Sequence, residues 1–413
     1  MKIKFCKRCL YGDTHPLKIS FDIEGICSGC RIHEEKDKLN WLNRWDLLNT
    51  IVEPYKSKSN DSYDCIVPIS GSQDSYYIID LVKEKLKMNP LLVTYNKYFN
   101  TPLGIKNLAN LRIKFDCDIL YQNINPLIVK KIIRSTLRDF GSIYWPILAG
   151  QSVFPVQTAV RYKIPLIIWG AHQGLEQVGM FSHEHEIEMT RRYRKEHDLM
   201  GYEADDLLSV SNFLEEKEIW QYRYPDDYDL NANNVRGIYL GNYVRWDPKT
   251  QHEKMIKKYD YMTTEFSRTF DTYDYVDCYN YMNLHDLLKL YKHGYSKVTD
   301  HASREIRYNR ISRAEGEALV RAHELKGPEH LDLFEEWLGL ERNSLQFIMD
   351  QHRNKQFWEH DLKNDNWQFK GWSHLRNDKH KIKQPSFQKS FVSNSSFSMG
   401  SRDGFITFGK GYP

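Results

Sequence analysis

The chain has 413 residues, enough to bury a full hydrophobic core and to form more than one domain. Its 58 basic and 55 acidic residues give a net charge of +3, which argues against a nucleic-acid-binding protein. No apolar run approaches the length of a membrane span, and the N-terminus lacks the long apolar stretch of a signal peptide. We therefore expect a cytoplasmic protein whose seven cysteines stay reduced unless they bind metal.

Four of the cysteines form two C-x-x-C pairs near the N-terminus. They are Cys6, Cys9, Cys27 and Cys30, and seventeen residues separate the two pairs. This spacing is typical of a tetrahedral, structural zinc site, in which four thiolates leave no coordination position open for catalysis. Disulfides or chance are the alternatives. We expect a short hairpin to link the pairs and the metal to stabilise a module that is too small to fold by itself.

A charged helix is predicted to follow from Arg31. The large apolar residues of this segment recur on one helical face: Trp41, Trp45, Leu48 and Val52. Such a face should dock on the next domain. Residues 56–61 are polar and mark a linker, so the first domain, the zinc-binding module with its docking helix, is predicted to span residues 1–56.

A strand, a turn of small residues and a helix are predicted next. Residues 65–69 form a short apolar run, residues 70–75 read Ser-Gly-Ser-Gln-Asp-Ser, and apolar residues with helical spacing follow. This arrangement aims backbone N–H groups and a helix N-terminus at a phosphate. The turn is not a Walker P-loop, because G-x-x-x-x-G-K-[ST] is absent. The alternative is an ordinary strand-to-helix turn.

Residues 62–175 alternate between predicted strands and helices. Further strands are expected over residues 91–95, 118–121 and 165–169, and further helices over residues 104–114, 126–140 and 151–162. The alternation predicts an α/β fold with a doubly wound parallel sheet, which binds ligands beyond the carboxyl ends of its strands. Three loops, residues 70–75, 96–101 and 170–172, should meet at that edge and favour a nucleotide site.

The rest of the chain gives weaker signals. His183 and His185 suggest a metal site, but no third ligand has a diagnostic spacing, and a solvated charged segment is the favoured interpretation. Tyrosine and aspartate crowd residues 222–229 and 259–281, which suggests loops or helices that line a substrate region.

Residues 291–325 contain a clearer helical pattern. Arg304 and Arg307 share a helical face with Asp300 and can clamp a phosphate or carboxylate, unless Asp300 and Arg304 form only a surface ion pair. Ser312 and Glu315 form a capping box that opens another helix. We therefore expect an α/β domain with insertions over residues 62–290, a largely helical region over 291–378, and a polar tail over 379–413.

The turn at residues 70–75 resembles the PP-loop of ATP pyrophosphatases, S-G-G-x-D-S. Ser70, Gly71, Asp74 and Ser75 match, and Ser72 stands where the second glycine is usual. Enzymes with this loop typically split ATP into AMP and pyrophosphate and adenylylate a carbonyl oxygen. If the backbone needs a positive φ at position 72, serine is strained there, which would affect catalytic competence more than the fold.

The chain as a whole resembles the N-acetyl sugar amidotransferases, PP-loop enzymes that make acetamidino sugars for bacterial surface polysaccharides and glycans. The similarity spans most of residues 1–345. It rests on the cysteine pairs with residues 21–30, on residues 68–75 and 164–170, and on residues 294–295 and 299–307. It departs at Ser72 and at residues 171–172, where an acidic residue is more usual.

This resemblance implies a PP-loop fold, similar to that of adenine-nucleotide α-hydrolases, and a specific reaction. ATP with Mg²⁺ would activate the amide oxygen of an N-acetyl group, ammonia would attack the carbon, and AMP and pyrophosphate would be released. The implied nucleotide-binding residues are Ser70, Gly71, Ser72, Asp74 and Ser75 around the phosphates and Mg²⁺, with Trp169 and Gly170 beside the adenylate. Asp74 and Ser75 are the implied catalytic residues, and Arg304 and Arg307 would meet an anionic sugar substrate or the phosphates.

The source of the ammonia is predicted to be another protein. A glutaminase needs an activated nucleophile, but position 2 is Lys2, Cys65 and Cys117 fall in predicted strands, and Cys278 has no evident base. The resemblance likewise implies a separate glutaminase and a cyclase-like subunit that deliver ammonia.

Two alternatives remain from the sequence. A PP-loop tRNA thiolase would need a basic RNA track and a sulfur-carrying cysteine such as Cys117 or Cys278. An inactive assembly scaffold would explain Ser72 in the loop.

Overall fold

The computed structural model describes residues 3–57 and 62–371. The predicted polar tail, residues 379–413, lies outside the described residues, as does the end of the predicted helical region. In the part of the chain that is described, no helix is both long and apolar enough to cross a bilayer.

A five-stranded sheet forms the centre of the molecule. Its strands are β1 (Cys65–Pro68), β2 (Pro90–Tyr95), β3 (Ile119–Gln122), β4 (Leu166–Trp169) and β5 (Arg236–Tyr239). All neighbours are parallel, in the order β3-β2-β1-β4-β5. The chain runs outward from β1 to β3 and then returns to the other side of β1, so the strand order reverses between β1 and β4. The predicted parallel α/β sheet is confirmed, and β5 is an addition that the pattern did not predict.

Helices connect and surround these strands. In chain order they are α1 (Ser28–Glu35), α2 (Trp41–Val52), α3 (Gln73–Ile79), α4 (Pro102–Phe115), α5 (Pro126–Phe140), α6 (Trp145–Tyr162), α7 (Arg191–Tyr193), α8 (Ala204–Val210), α9 (Glu216–Ile219), α10 (Asp227–Ala232), α11 (Pro248–Tyr259), α12 (Asp286–His293), α13 (Lys297–Arg307), α14 (Arg313–His323), α15 (Leu331–Leu338) and α16 (Arg342–Asp350). Segments of π-helix extend α3 over Asp80–Lys85 and precede α12 over Tyr281–His285.

Both faces of the sheet are buried. Ile66 of β1 packs in a cluster with Phe154 and Val156 of α6, whereas the adjacent Cys65 and Val67 belong to the main core on the opposite face. Successive strand residues point to opposite faces, so apolar runs without alternation are what a sheet covered on both sides requires.

Local sequence signals explain several helix ends. Asn125 accepts a hydrogen bond from the backbone N–H of Leu127 and Pro126 occupies the first turn of α5, which ends at Gly141 with φ 59°. The predicted capping box at α14 is present, since the Ser312 hydroxyl accepts from Glu315 N–H and the Glu315 carboxylate accepts from Ser312 N–H.

The N-terminal module and the C-terminal region share the main core with the sheet. Leu10 of the module, Leu48 and Val52 of α2, and Trp358 near the C-terminal end all belong to one buried cluster. The docking predicted for α2 is thus confirmed. In the module, Phe21 and Cys27 form a single antiparallel bridge rather than a longer hairpin.

The predicted largely helical C-terminal region also contains strands. After α16 the chain forms an antiparallel hairpin of β6 (Trp358–Asp361) and β7 (Asn366–Phe369). The side chains of β7 alternate between exposed and half-buried, which is the period of a strand and was overlooked by the helical expectation for the whole region.

Candidate active site

The turn after β1 is closed by its own hydrogen bonds. Ser70 N–H donates to Ser75 Oγ at 2.9 Å, and Ser72 N–H donates to the Ser70 carbonyl oxygen at 2.8 Å. Helix α3 begins directly afterwards, with Asp74 in its first turn. The turn therefore sits at the carboxyl end of β1, beside the point where the strand order reverses, which is where open parallel sheets bind ligands.

Gly71 and Ser72 have different structural requirements. A Cβ atom on Gly71 would lie 2.3 Å from the carbonyl oxygen of Gly104, so close backbone packing excludes a side chain there. Ser72 has φ −104° and ψ −173°, an extended conformation that any residue adopts. The strain considered for a serine at this position is absent, because the backbone does not need a positive φ.

A first cavity of about 250 Å³ opens beside the turn. Its walls come from the ends of β1, β2 and β4 and from α3 and α6, and include Pro68, Ser70, Ser75, Val93, Gln151 and Trp169. Asp74 and Tyr275 also line it. Gly71 and Asn96 line a small adjoining pocket together with Ser70. The three predicted loops do approach one edge of the sheet.

Lys97 is a site residue that sequence reasoning missed. It lines both the first cavity and the adjoining pocket, is 2% exposed, and forms a buried ion pair with Asp277. Its ammonium group also lies 5.7 Å from the centre of the Tyr275 ring. A signal was available, because Lys97 is the first basic residue after β2 in a loop already expected at the site.

Trp169 and Gly170 take different positions. Trp169 lines the first cavity, and the Arg194 guanidinium carbon lies 3.8 Å from its ring centroid. Gly170 is packed instead: a Cβ there would lie 2.8 Å from Ile78 Cδ1. Neither Gly170 nor the buried Ser72 lines any of the cavities described here, so their contact with a nucleotide stays a prediction.

Asp74 has an unusual electrostatic environment. Burial and the negative charges of Asp274 and Glu176 raise the pKa of its carboxyl group to about 8, against a smaller opposing effect of Arg304. An Asp in this setting is neutral at neutral pH unless a cation is bound beside it. A Mg²⁺ ion, which prefers oxygen ligands, fits this excess of carboxylate groups.

A second cavity, also of about 250 Å³, adjoins the first. It forms where the N-terminal module, the loop after β4 and α13 meet, and its walls include Tyr11, His33, Gln177, Trp246, Asp300 and Arg307. Asp74 and Tyr275 line both cavities. Of the predicted residues, Ser70 and Ser75 therefore line the first cavity, Arg304 and Arg307 line the second, and Asp74 lines both.

Arg304 is held by carboxylates of the protein. It forms ion pairs with Asp271 at 2.7 Å and with Asp274 at 3.4 Å. Asp300 pairs with Lys289 and Lys297 rather than with Arg304, so the surface pair considered as an alternative does not form. Arg304 lines the second cavity, and its contact with a substrate stays a prediction.

Arg307 has a different set of partners. It donates hydrogen bonds to the carbonyl oxygens of Glu176 and Gln177 at 3.2 and 2.8 Å. Its Nη2 lies 3.9 Å from Cys9 Sγ and 3.6 Å from Cys27 Sγ. Arg307 thus connects the cysteine cluster to the second cavity.

Asp271, Asp274 and His301 form a buried polar group at the edge of the second cavity. His301 Nε2 lies 3.0 Å from Asp274 Oδ2, and His301 Nδ1 lies 2.7 Å from Thr269 Oγ1. Their ligand atoms are close enough together to suggest a metal site. The side chains already bind one another and Arg304, which favours an ordered hydrogen-bond network over metal coordination.

The four cysteines predicted to bind zinc come together as expected. Their sulfur atoms lie within 4.8 Å of one another and are buried, with 4.0 Å between Cys6 and Cys30 and 3.5 Å between Cys9 and Cys27. Thiolates at about 2.3 Å from a tetrahedral zinc ion would be about 3.8 Å apart. The cluster is therefore compatible with zinc.

The segment around His183 is only partly as predicted. Residues 184–186 are exposed, but His183 is fully buried, and its backbone N–H donates to Glu35 Oε2 at 3.0 Å. The expectation of a solvated segment is wrong for His183, because its ring packs against Glu35 of α1 and Trp41 of α2.

Comparisons with known proteins bear on the C-terminal part of this site. Residues 253–372 match the family described as "LPS biosynthesis protein WbpG-like, C-terminal domain". The matched segment contains the second-cavity residues Asp274, His301, Arg304 and Arg307, and the turn at residues 70–75 lies outside it. This similarity supports the resemblance to proteins of lipopolysaccharide and glycan biosynthesis.

One curated protein is similar to part of the chain. An uncharacterized protein of Methanocaldococcus jannaschii is 26% identical over 121 residues, which are 29% of this chain. The match spans 42% of the length of that relative. Its name assigns no activity.

Proposed function

We propose that this protein is an ATP-dependent amidotransferase that converts the N-acetyl group of a sugar into an acetamidino group. Amide carbonyl groups are poor electrophiles. Adenylylation of the amide oxygen makes it a good leaving group, which ammonia can then displace. The products are the acetamidino sugar, AMP and pyrophosphate.

One observation carries this proposal. The Ser-Gly-Ser-Gln-Asp-Ser turn ends β1 at the reversal of strand order and opens into two cavities that share Asp74 and Tyr275. An enzyme that transfers an adenylyl group to a second substrate needs two adjoining binding spaces with common residues at their junction. A nucleotide-binding module without chemistry would need only one.

The residues of the first cavity fit the binding of ATP. The hydroxyl groups of Ser70 and Ser75 and the ammonium group of Lys97 can meet the phosphates, and Trp169 can contact the adenine or ribose. A bound Mg²⁺ would supply positive charge that stabilises the departing pyrophosphate. Asp74, with neighbouring carboxylates that raise its pKa, is the residue best suited to hold that ion.

The thiolase alternative is less well supported. None of the seven cysteines, all of which are in the described residues, lines the first or the second cavity. Cys117 and Cys278 are buried, and burial raises the pKa of both thiols, the opposite of what a nucleophile needs. The scaffold alternative rested on Ser72, which is unstrained.

The similarity of residues 253–372 to an LPS biosynthesis family supports a role in the synthesis of a bacterial surface polysaccharide such as an O-antigen or capsule. We propose that ammonia comes from a partner glutaminase and reaches this chain through a cyclase-like subunit. The four-cysteine cluster would hold zinc as a structural ion.

The test is AMP release from ATP and Mg²⁺ with acetamido sugars, with ammonium chloride present or withheld. The proposal expects AMP only with both sugar and ammonia, together with a sugar product in which nitrogen has replaced oxygen by mass spectrometry. AMP formation with tRNA and a sulfur donor instead would favour the thiolase. Absence of AMP under all these conditions would contradict the amidotransferase.

A further inference from the structure

The second cavity has polar walls, and most of the charged side chains in them already form ion pairs or hydrogen bonds within the protein. Arg304 and Arg307 are held by carboxylates and backbone carbonyl groups, and Lys297 faces Asp300 at 3.5 Å. A polyphosphate would therefore find few free cations here. Neutral hydroxyl groups suit the cavity better, because they donate to carboxylates and accept from amides.

Aromatic and polar side chains line this cavity together. Trp246 and Tyr308 give aromatic surface, and Gln177 and Asp300 add an amide and a carboxylate. A cavity of about 250 Å³ holds one sugar ring with a short substituent. Aromatic surface beside amide and carboxylate groups fits a ligand with hydroxyl groups and an apolar face.

We propose that the second cavity binds the acetamido sugar and that Asp274 is the base that removes the proton from its amide nitrogen. This inference rests on the proposed function. It assigns the sugar to the space bounded by the cysteine module and α13, and any nucleotide attached to the sugar lies outside that space.

The position of Asp274 supports this role. Asp274 lines the second cavity, next to Asp74 and Tyr275, which also line the first cavity. His301 donates to its carboxylate at 3.0 Å and is itself fixed by Thr269 at 2.7 Å. The base is therefore held at the junction where the amide oxygen of a bound sugar would meet the α-phosphate.

The neighbours of Asp274 favour the ionised form of its carboxyl group. Burial opposes ionisation of Asp274, but the hydrogen bond from His301 and the charge of Arg304 hold its pKa well below the usual range. An ionised carboxylate in a fixed orientation at the cavity wall can accept a proton from a bound ligand.

Adenylylation and the attack by ammonia each conserve atoms, protons and electron pairs. The amide oxygen forms a bond to the α-phosphorus of ATP while the bond from that phosphorus to the pyrophosphate oxygen breaks, and pyrophosphate leaves with the electron pair. The amide proton passes to Asp274, and the N–H electron pair forms the C=N bond of the adenylylated imidate. Ammonia then adds to the carbon, the former amide nitrogen takes back a proton, and AMP leaves with the C–O electron pair as the amidine forms.

Sugar binding and the first chemical step can be measured separately on the full chain. The probes are N-acetylglucosamine and N-acetylgalactosamine, each free and linked to UDP. Saturation-transfer NMR reports binding, and sugar-dependent exchange of labelled pyrophosphate into ATP reports adenylylation without ammonia. Ala171 lines the second cavity and not the first, so a bulky side chain there should fill the proposed sugar space. We expect binding of at least one probe to the wild type and its loss in Ala171→Trp, or in Ala171→Phe if tryptophan prevents folding, with ATP affinity kept within about twofold. No binding of any probe, or equal binding to both proteins, would overturn the assignment of the cavity.

Asp274→Asn tests the base. We expect it to bind ATP and sugar almost normally and to lose about 100-fold or more in the exchange rate, the usual contribution of a general base. Exchange within threefold of the wild type would overturn the role of Asp274. Melting curves and ATP binding establish that each variant is folded, and Glu184→Gln on the exposed segment is the control.

His301 is a positioning residue, because it acts through Asp274. The charged and titratable groups around Asp274 include His301, Arg304, Asp271, Asp74, His252 and Lys297. His301→Gln should move the acidic limb of the exchange–pH profile to higher pH, since the carboxylate loses a donor; an unmoved profile would contradict this role. If the wild type binds a sugar that Ala171→Trp cannot bind but forms no AMP, the cavity assignment stands while the amidotransferase proposal fails.

Discussion

Arg307 of α13 donates a 2.8 Å hydrogen bond to the carbonyl oxygen of Gln177, in the short π-helix Gly174–Val178 that follows β4. The same guanidinium group faces two sulfur atoms of the cysteine cluster. A single buried cation therefore joins the module, the loop and the C-terminal helix around the second cavity. This geometry assigns Arg307 a structural role in addition to the substrate contact expected from its position on a helix.

Arg307→Lys should destabilise the protein and weaken metal retention. A lysine ammonium cannot reach two carbonyl groups and two sulfurs at once, and hydrogen bonds to charged groups contribute about 1.5–3 kcal/mol each. We expect a loss of roughly 2–4 kcal/mol in the free energy of unfolding. Chemical denaturation and zinc release to a chelator measure the two effects. Arg161→Lys on the exposed end of α6 is the matched control, and equal behaviour of both variants would contradict the role of Arg307.

Gly71→Ala should impair the turn, as the PP-loop pattern indicates, whereas Ser72→Gly should not give the gain that the pattern alone indicates. The new Cβ at position 71 would meet the carbonyl oxygen of Gly104 at 2.3 Å, so the turn must shift and ATP binding should fall at least tenfold. Ser72→Gly restores the usual pattern, but the extended backbone gains nothing from glycine. We expect activity within about twofold and a small loss of stability, about 0.5–1 kcal/mol. A large gain in activity for Ser72→Gly would support the scaffold instead.

Lys97→Met should weaken ATP binding. Removing the buried ammonium group takes away a charge-assisted contact to phosphate, so the affinity for ATP should fall by about 10- to 100-fold, equivalent to about 1.5–3 kcal/mol. Asp277→Asn removes the charge of its ion-pair partner while the ammonium group stays, and its effect should be much smaller. Isothermal titration calorimetry with ATP and Mg²⁺ compares them; similar losses would indicate that the pair matters only for folding.

Asp74→Asn should stabilise the Mg²⁺-free protein at alkaline pH and have little effect at acid pH. The folded-state pKa of about 8 lies above the value of an unfolded aspartate, so the wild type loses stability as pH rises from about 4 through 8. The variant has no such carboxyl group and should be more stable by about 1–3 kcal/mol at pH 9 and equal at pH 4. Thermal melting across pH, with Asp227→Asn on the exposed α10 as control, measures the difference; a difference independent of pH would count against this environment for Asp74.

Zinc analysis tests the cysteine cluster. We expect one zinc ion per chain, lost in Cys30→Ser together with cooperative melting of the module. Cys65→Ala, in β1, should destabilise the core but keep the metal, because Cys65 lies outside the cluster. Equal zinc content in wild type and Cys30→Ser would contradict a four-cysteine site.

The sequence predicted those parts of the protein that depend on neighbours along the chain. Apolar runs separated by helical segments indicate a parallel sheet because buried strands and amphipathic helices have different periods. Two C-x-x-C pairs predict a cluster because a metal ion needs its ligands together, whatever lies between them. The turn at residues 70–75 was located because a strand precedes it and a helix follows it.

Local sequence patterns do not predict the burial of Lys97 or His183. In the sequence, Lys97 is one charged residue in a loop. In the structure, it pairs with Asp277, 180 positions away, and is buried beside the turn. In the sequence, His183 belongs to a charged segment. In the structure, it is buried against Glu35 and Trp41. Burial of a polar group depends on which distant segment packs against it, and composition does not specify that segment.

The sequence alone determined the α/β class, the cysteine cluster and the turn at the end of β1, because each depends on local spacing. Only the tertiary structure decided that Ser72 is unstrained, that Arg307 holds the module, and that Asp74 joins two cavities. The second cavity is lined by Tyr11, Gln177 and Arg307. No local sequence pattern predicts that these three residues lie together. Its shape and charge arise from long-range packing, in which burial and neighbouring charges determine what each side chain can do.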